Sequence, residues 1–308
     1  MPQACFGMWQ ETKMLETVAQ YLSSNCFSWR ADKIRKQLPR GPAENTFYHK
    51  YYVVRKLGSG GYGTVFLVAR RADNKRFAAK IVPQARCRRT TWCTARQMWV
   101  PDEVTIWEAL QPHDNIVQLV ESYLERGHWI LVTEYLTGYL DLFDYNIAIK
   151  KLPLTEVRAI LRQVIRTCQN LIELGVDHRD IKDENLLYNP ETQHVKLLDF
   201  GSASRITPEQ TYNHIQGTDI YIPYEFYSSS CYTPDGGTVW SIGCLAYILL
   251  NRRPPFVNRE HVKTHDTINW LNPDDGGLKE FVEKCLVKDP EQRWKLDEIA
   301  EFEWLHVD

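Results

Sequence analysis

The segment from His178 to Asn185, together with Asp199, carries the groups that phosphoryl transfer from a nucleotide needs. The segment reads His-Arg-Asp-Ile-Lys-Asp-Glu-Asn, so one short loop supplies a carboxylate (Asp180), an amine (Lys182) and an amide (Asn185). Divalent cations that neutralise a triphosphate prefer oxygen ligands, a carboxylate can accept a hydroxyl proton, and a cation can offset charge on the transferring group. Any one of these residues could be structural, but their joint order and spacing predict a phosphoryl-transfer site.

A glycine-rich segment near residue 60 could hold phosphate groups. Gly58 to Gly63 reads Gly-Ser-Gly-Gly-Tyr-Gly, and a β-rich stretch lies on each side of it. A dinucleotide-binding glycine loop is instead followed by a helix. The glycines are therefore predicted to close a hairpin whose backbone amides can approach phosphate oxygens, although a flexible turn is the alternative for the glycines alone. The chain has no GxxxxGK[ST] motif, which argues against a P-loop nucleotide hydrolase.

Lys80 lies within a predicted strand and could contact phosphate if an acidic side chain holds it. Most strand lysines point to water, so this alternative stays open for Lys80 taken alone. Glu103 and Glu108 are the candidate partners on the following helix. Five residues correspond to a rotation of roughly 140° about a helix axis, so both carboxylates cannot face the lysine. We expect Glu103 to be the partner.

The elements that must position these residues divide the chain into a β-rich part and a helical part. Strands are predicted over 52–57, 64–70, 76–82, 116–124 and 128–134. Residues 84–100 carry arginines without periodicity and are predicted to form a loop, and Pro101 is predicted to open a helix that runs to Leu110. A second helix is predicted to have Thr155 as its N-cap and to end at Gly175. Further helices are expected over 239–250, which is apolar on all sides, 278–286 and 296–302.

This pattern predicts an α+β fold with two lobes. The small antiparallel β-sheet lobe covers 48–137 and the larger, mainly α-helical lobe covers 138–308. Residues 1–47 form an extension in which 8–22 could be helical and 30–40 carries a basic cluster. The extension is expected to pack on the main body as a solvated segment, with a docking or regulatory segment as the alternative.

Composition limits the classes of function. The 37 basic and 39 acidic residues nearly cancel, so no net field favours nucleic acid or an anionic membrane. The longest apolar run, 239–250, is too short to span a bilayer, and the first ten residues lack the features of a secretory signal. The eight cysteines contain no CxxC pair, which indicates free thiols in a reduced compartment. We expect an intracellular monomer, cytoplasmic or nuclear, that binds neither nucleic acid nor membrane.

These motifs resemble those of the eukaryotic protein kinases over about residues 50 to 306. The resemblance implies the bilobal kinase fold with ATP and Mg²⁺ as cofactors. It implies that Lys80 pairs with Glu103 and with the α- and β-phosphates, that Asp180 is the catalytic base and that Lys182 contacts the γ-phosphate. Asn185 and Asp199 would hold Mg²⁺. The implied ATP-binding residues are Leu57, Gly58, Ser59, Gly60, Gly61, Tyr62, Gly63, Val65, Ala78, Lys80, Thr133, Glu134, Leu136 and Leu187.

Two further segments resemble serine/threonine protein kinases. Gly217-Thr218 and Lys182 are typical of serine/threonine rather than tyrosine kinases, and Thr218 is expected in the substrate-binding surface. Pro223-Tyr224-Glu225 stands where the family has Ala-Pro-Glu, and Glu225 is expected to pair with Arg293.

Within that family the chain is most similar to the Pim kinases. The similar segments are LGSGGYG from Leu57, Val100-Pro101-x-Glu103-Val104, Asp141-Leu142-Phe143-Asp144 and Lys182-Asp183-Glu184-Asn185. Thr238 also replaces the aspartate that most kinases place before Val-Trp, as in Pim kinases. Leu136 departs from the Pim pattern, which has a hinge proline there, and its N–H could donate a second hydrogen bond to adenine.

The resemblance implies that Asp141, Asp144 and Glu184 recognise basic residues upstream of the serine or threonine that is phosphorylated. The usual activating phosphosite is His214 here, and Thr207, Thr211 and Tyr212 are displaced from that position. We therefore expect a basic-directed serine/threonine kinase that is constitutively active. A pseudokinase scaffold and a small-molecule kinase are the alternatives.

Overall fold

The computed structural model describes residues 46–307, apart from 61–62, 88, 150, 266–267 and 271–276. The chain divides into two compact units, with the boundary between Thr137 and Gly138. The expected helix at 8–22 and the basic cluster at 30–40 lie outside the described residues. Gly61 and Tyr62 of the glycine-rich segment lie outside them as well.

The unit that ends at Thr137 is built on one antiparallel sheet. Its elements in chain order are α1 (Phe47–Lys50), β1 (Tyr51–Gly60), β2 (Gly63–Arg70), β3 (Arg76–Pro83), β4 (Thr90–Cys93), β5 (Met98–Pro101), α2 (Asp102–Ala109), β6 (Leu119–Glu125) and β7 (His128–Glu134). The main sheet has the order β1-β2-β3-β7-β6. The predicted strand at 116–124 begins later, at Leu119, because residues 116–118 precede the ladder with β7.

The loop predicted over 84–100 is wrong. After a short 3₁₀ turn at Gln84–Arg86, β4 and β5 form a separate two-stranded antiparallel hairpin. Trp92 and Trp99 lie opposite each other, with ring centroids 5.8 Å apart in an edge-to-face contact. The hairpin was not predicted because its strands do not alternate between buried apolar and exposed polar residues. Both of its tryptophans are exposed.

The unit that begins at Gly138 is mainly helical. Its elements are β8 (Leu140–Asp141), α3 (Leu142–Ala148), α4 (Leu154–Glu173), β9 (Val176–Asp177), β10 (Leu186–Asn189), β11 (His194–Leu197), β12 (Ser204–Arg205), α5 (Tyr224–Ser229), α6 (Pro234–Asn251), α7 (Arg259–Thr264), α8 (Leu278–Cys285) and α9 (Leu296–Ala300). Helix α6 is buried from Gly237 to its end, as its all-round apolar sequence predicts. A small sheet of order β11-β10-β8 and the pair β12-β9 carry the loops described below.

The start of α4 differs from the prediction. Thr155 is not the N-cap, because the helix already begins at Leu154 and Pro153 occupies the cap position. The Pro153 carbonyl accepts hydrogen bonds from the amides of Glu156 and Val157, so the first helical turn forms without a side-chain cap. The helix ends at Glu173, and Gly175 follows with the positive φ of 70° that favours glycine.

The described residues bear on two expectations from composition. The cysteines among them carry free thiols, namely Cys87, Cys93, Cys168, Cys231, Cys244 and Cys285. In this part of the chain, no helix combines the length and the hydropathy that crossing a membrane requires.

Candidate active site

The glycine-rich segment closes the β1–β2 hairpin, as predicted. Gly60 pairs with Gly63 at its end, and Gly58 lies opposite Val65. Gly63 has φ 136°, and a Cβ atom at this position would overlap the carbonyl oxygen of Ile81 in β3. Only glycine therefore lets β2 approach β3 this closely at the tip of the sheet.

One face of the main sheet carries four of the residues that the kinase resemblance assigns to ATP. Val65 lies opposite Lys80, and Ala78 lies opposite Thr133. Because directly opposed residues share a face and side chains alternate along a strand, these four side chains point to the same side. The other face packs a core of Phe47, Tyr51, Val68, Phe77, Ala79, Ile130 and Val132.

Lys80 does not point to water. Its Nζ donates a hydrogen bond to Glu103 Oε1 at 2.7 Å, and both side chains are only 12% exposed. Glu108 lies on another side of α2 and forms an ion pair with Arg96. The predicted partner is therefore the one observed, and this ion pair fixes the position of the lysine amine.

The end of β7 is tied to the segment before β6. The backbone N–H of Glu134 donates to the carbonyl of Gln118 at 3.0 Å, and Glu134 Oε1 accepts from the N–H of Gln118 at 2.9 Å. Leu136 follows the strand and is half-buried. The second adenine hydrogen bond expected from Leu136 stays a prediction. Leu57 and Ser59 are exposed in β1, where Ser59 accepts from Lys56 Nζ.

Asp180 is the centre of a hydrogen-bonded cluster in the unit that begins at Gly138. The side chain of Asn185 donates to both the backbone carbonyl and Oδ2 of Asp180, at 2.8 and 2.9 Å. Lys182 Nζ lies 3.1 Å from the same Oδ2. Asp180 is nearly buried, so these donors fix the orientation of its carboxylate.

The segment at Gly217-Thr218 completes this cluster. Thr218 Oγ1 accepts from Lys182 Nζ at 2.7 Å and donates to Asp180 Oδ1 at 3.2 Å. Gly217 has φ 82°, and a Cβ atom there would lie 2.8 Å from Asp180 Oδ1 and 2.5 Å from the carbonyl of Arg179. A glycine is therefore required where the chain passes beside the candidate base.

Asp199 begins a loop that is joined to the catalytic segment. The N–H of Leu198 donates to the carbonyl of Asn185 at 3.0 Å, and His178 Nε2 lies 3.2 Å from the carbonyl of Leu198. The ring of Phe200 is fully buried and makes an edge-to-face contact with His178. Asp199 itself adopts φ 65°, and its Oδ1 accepts from the N–H of Gly201. Two segments joined by the β10–β11 hairpin thus meet here.

Asn185 and Asp199 fit a hard divalent cation by their chemistry. Both side-chain donations of Asn185 go to Asp180, which leaves its amide oxygen as the atom suited to a metal. Asp199 adds carboxylate oxygens, and Mg²⁺ prefers such oxygen ligands and completes its shell with water and phosphate. Among the described residues, no group of three or more histidine, cysteine or acidic side chains could hold a metal. The pair therefore fits a cation that binds together with phosphate.

Sequence reasoning missed Asp177. This aspartate is fully buried, and its Oδ1 accepts from the N–H of Arg179 at 3.1 Å and from Thr238 Oγ1 at 3.4 Å. Burial raises the pKa of its carboxyl to about 6. The available signal was an acidic residue in a short apolar strand, combined with Thr238 where most kinases have aspartate. Asp177 of β9 thus supplies a carboxylate beside Thr238 of α6, where most kinases have the aspartate on the helix itself.

Arg179 is held by the segment that follows Asp199. Its guanidinium carbon lies 3.7 Å from the centroid of the Tyr212 ring, and Nη2 donates to the carbonyl of His214 and the hydroxyl of Tyr232. Tyr212 and Tyr232 are also joined by two backbone hydrogen bonds, at 2.8 and 3.1 Å. An arginine that binds phosphate in many kinases is here bound by a buried ring and two neutral oxygens.

The acidic residues assigned to substrate differ in their surroundings. Asp141 is the N-cap of α3 and accepts from the N–H groups of Phe143 and Asp144, so it also has a structural role that the sequence reading did not assign to it. Burial, and then the neighbouring charges of Asp144 and Asp183, raise the pKa of Asp141 to about 7, against backbone hydrogen bonds that lower it. Glu184 is exposed, and its Oε2 lies 3.7 Å from Lys182 Nζ.

The predicted ion pair of Glu225 and Arg293 is present. The two nitrogens of Arg293 donate to the two carboxylate oxygens at 2.8 and 2.6 Å, and both side chains are buried. Leu187 is half-buried in β10, where it lies opposite Asp141.

The sequence-predicted residues form two groups, and each group is coherent within its own unit. One group consists of the hairpin glycines, the sheet face and the Lys80–Glu103 pair. The other joins Asp180, Lys182, Asn185 and Thr218 in one network and ties the Asp199 loop to it. The catalytic roles of these residues stay predictions.

Comparisons with known proteins point to one family. The model of the protein kinase domain matches residues 51–305. The chain is 30% identical over 262 residues to the serine/threonine-protein kinase prk-2 of Caenorhabditis elegans, covering 84% of this chain and 59% of that protein. It is 29% identical over 268 residues to the serine/threonine-protein kinase pim-2 of Danio rerio, covering 84% and 86%. It is also 29% identical over 289 residues to the serine/threonine-protein kinase 1 of African swine fever virus, covering 88% and 90%.

Proposed function

Because this chain belongs to the protein kinase family, we propose that it transfers the γ-phosphoryl group of ATP to serine and threonine hydroxyls of proteins. The predicted family, the kinase fold class and the serine/threonine kinase type are confirmed by the domain match and by the relatives. The chain spans 59% of the length of the worm relative, so the activity and substrates of the whole protein remain proposals. The observation that carries this proposal is the network around Asp180.

The arrangement of the chain's own residues supports a defined division of labour. Asp180, oriented by Asn185 and Lys182, accepts the proton of the substrate hydroxyl. Lys182 offsets negative charge on the group in transfer, and Lys80, fixed by Glu103, binds the phosphates of the bound nucleotide. Mg²⁺ held by Asn185 and Asp199 would supply neutralisation of the triphosphate charge.

A preference for basic residues upstream of the acceptor is supported by the electrostatics of the acidic group. Burial, and then the charges of Asp144 and Asp183, raise the pKa of Asp141 to about 7, and a cation bound beside Asp141 would favour its charged form. Arginine suits such a site because its planar guanidinium can bind carboxylates with two hydrogen bonds. Of the three acidic residues expected to bind substrate, Asp144 and Glu184 do not cap a helix.

Constitutive activity is supported by the contacts of Arg179. A phosphate on the activation segment orders that segment in many kinases by binding such an arginine. Here Tyr212, Tyr232 and the carbonyl of His214 already hold Arg179. We expect the segment to be ordered without phosphorylation, so phosphatase-treated protein should keep its turnover.

The test is phosphate transfer from Mg·ATP to a serine peptide with upstream arginines. Wild-type protein should phosphorylate this peptide more efficiently than a peptide in which alanine replaces the arginines. Asp180→Asn should lower kcat by roughly 10²–10⁴-fold, because removal of a general base costs about that factor. Equal rates for wild type and Asp180→Asn would instead support the pseudokinase scaffold.

Matched variants separate catalysis from substrate recognition. Asp144→Asn should raise KM for the arginine peptide and leave KM for the alanine peptide unchanged. Glu260→Gln is the control, because Glu260 is a well-exposed carboxylate on α7. Equal effects of Asp144→Asn on the two peptides would contradict the proposed basic preference while leaving the kinase activity intact.

A further inference from the structure

The β4–β5 hairpin holds the first turn of α2, the helix that carries Glu103. Thr91 Oγ1 in β4 donates to Asp102 Oδ1 at 2.8 Å, and the N–H of Asp102 donates to the carbonyl of Arg89 at 3.1 Å. Asp102 is the first residue of α2, and Glu103 follows it directly. Farther along the same helix, Arg96 of the hairpin turn forms its ion pair with Glu108. The hairpin thus contacts the helix at two residues, one before and one after Glu103 in the sequence.

Thr91 also lies in a sequence that fits the proposed substrate preference. In the sequence, Arg86, Arg88 and Arg89 precede it by five, three and two residues. Thr91 is exposed in the structure, and its backbone is already extended in β4. Within the described residues β4 pairs only with β5, so its second edge is not part of a sheet.

We propose that Thr91 is an autophosphorylation site and that its phosphate lowers kinase activity by separating the hairpin from the first turn of α2. This inference rests on the proposed function, because it takes the chain's own basic-directed activity as the source of the phosphate. It adds a modification site in the unit that carries Lys80 and Glu103.

The transfer takes place between two molecules of the protein. Asp180 of one molecule accepts the proton of Thr91 Oγ1 of the other, and that oxygen forms a bond to the γ-phosphorus of ATP. The bond from the γ-phosphorus to the β–γ bridging oxygen breaks, and ADP leaves with that oxygen. If a molecule bound its own hairpin as substrate, the hairpin would leave α2, the helix whose Glu103 orients Lys80. The kinase that phosphorylates Thr91 must therefore be a second copy.

Phosphorylation turns the attraction between Thr91 and Asp102, at the start of α2, into repulsion. The Thr91 hydroxyl now donates to Asp102, whereas a phosphate ester has no hydroxyl donor at that oxygen and carries about −1.5 to −2 charges near pH 7. The N-terminus of a helix offers about +0.5 of a charge, which is less than the full negative charge of Asp102. Because Asp102 Oδ1 already lies 2.8 Å from Thr91 Oγ1, its repulsion outweighs the attraction of the arginines before Thr91. Asp102 and Glu103 then move away from the hairpin together, since they are consecutive residues.

The experiment uses the full chain after phosphatase treatment. Wild type is incubated with Mg·ATP, its phosphates are mapped by mass spectrometry, and its rate on the arginine peptide is measured before and after. In a second arm, wild type is mixed with an Asp180→Asn copy that carries a distinguishing mass label. We expect phosphate on Thr91 of both copies and a falling peptide rate that follows the extent of Thr91 phosphorylation.

The variants at Thr91 and at its neighbour Thr90 provide matched controls. Thr91→Val should keep its peptide rate during incubation, whereas Thr91→Ser should accept phosphate and lose rate like wild type. Thr91→Glu should lower kcat/KM by about fivefold relative to Thr91→Val, and Thr90→Glu by less than about twofold, since surface charge pairs are worth at most a few-fold.

Two results would overturn the inference alone. The first is turnover of the peptide with no phosphate on Thr91, and the second is the same loss of rate in Thr91→Val as in wild type. If wild type phosphorylates no peptide at all, the proposed function fails and this inference fails with it.

Discussion

At the scale of single residues, two buried carboxylates three positions apart have different surroundings and therefore different uses. Asp180 has an amine, an amide and a hydroxyl around its oxygens, all of them in the predicted catalytic network. Asp177 has a backbone N–H and the hydroxyls of Thr238 and Tyr212, and it faces inward between β9 and α6. Asp180 is the proposed base, whereas Asp177 positions Arg179, the residue directly before that base.

The buried carboxyl of Asp177 should make stability depend on pH. Its pKa is about 6 in the folded protein and 3.8 ordinarily, so between these values the folded state binds a proton that the unfolded state has lost. The free energy of unfolding should therefore fall as pH rises from about 4 to 6, by at most about 3 kcal/mol, and then level off. Asp177→Asn keeps the acceptor oxygen and removes this dependence. Urea unfolding of both proteins at several pH values measures the difference.

Comparison of the two proteins isolates Asp177 from other acids that titrate in the same range. Burial also raises the pKa of Asp183 to about 6 and that of Asp141 to about 7, and both groups are unchanged in the variant. The stability of Asp177→Asn relative to wild type should increase between pH 4 and pH 7. Parallel stability curves would show that Asp177 is not the group responsible.

At the scale of elements, the activation segment is held by strand pairing and by the contact of Arg179 with the Tyr212 ring. β12 pairs with β9 directly before the catalytic loop, and Tyr212 and Tyr232 form a bridge farther along the segment. Arg179 lies on the ring of Tyr212, in a region where both tyrosines are buried. Under the proposal of constitutive activity, this contact takes the place of an ion pair with phosphate.

Substitution of Tyr212 should therefore reduce activity through the ring and not through the hydroxyl. Tyr212→Ala should lower kcat/KM for the arginine peptide by roughly tenfold, since a desolvated cation–π contact is worth about 1–2 kcal/mol. Tyr212→Phe loses the hydroxyl contacts with Ser204 and Asp177 but keeps the ring, and it should remain within about twofold of wild type. The assay uses phosphatase-treated protein. An equal loss in both variants would assign the effect to the hydroxyl and contradict the role of the ring.

At the scale of the whole molecule, the ion pair of Glu225 and Arg293 joins residues 68 positions apart. It connects α5, which follows the activation segment, to the region before α9. Arg293 also donates to the carbonyls of Gly236 and Val287, so it bridges three parts of the helical unit. Loss of the carboxylate would leave a buried guanidinium without its counter-charge.

Glu225→Gln should lower the free energy of unfolding by about 3–5 kcal/mol, because breaking one partner of a buried ion pair leaves an uncompensated charge. The matched control is Asp219→Asn, which breaks the exposed pair of Asp219 with Arg259 and should cost at most about 1 kcal/mol. Thermal and urea unfolding of the three proteins give the comparison. Similar losses in both variants would mean that burial does not decide the strength of the pair.

The chemistry of the site and most of its elements could be predicted from the sequence, because they depend on local order and periodicity. The catalytic loop, the Lys80–Glu103 pair and the buried helix α6 are examples of such local signals. Prediction failed for the β4–β5 hairpin and for the start of α4. In the hairpin, a cross-strand contact between exposed tryptophans is present where the sequence pattern would need apolar and polar residues to alternate. At the start of α4, the carbonyl of Pro153 accepts the hydrogen bonds that a side-chain cap would accept.

The sequence by itself determined that this chain carries the residues of a protein kinase, since residue types and spacing specify which chemistry is available. Only the tertiary structure decided that Asp177 faces Thr238, that a tyrosine ring holds Arg179 and that Thr91 is bound to the helix of Glu103. Each of these contacts joins residues that are separated along the chain or whose side chains could point elsewhere. Their pairing depends on how the strands and helices pack, and no local pattern of residues encodes that packing.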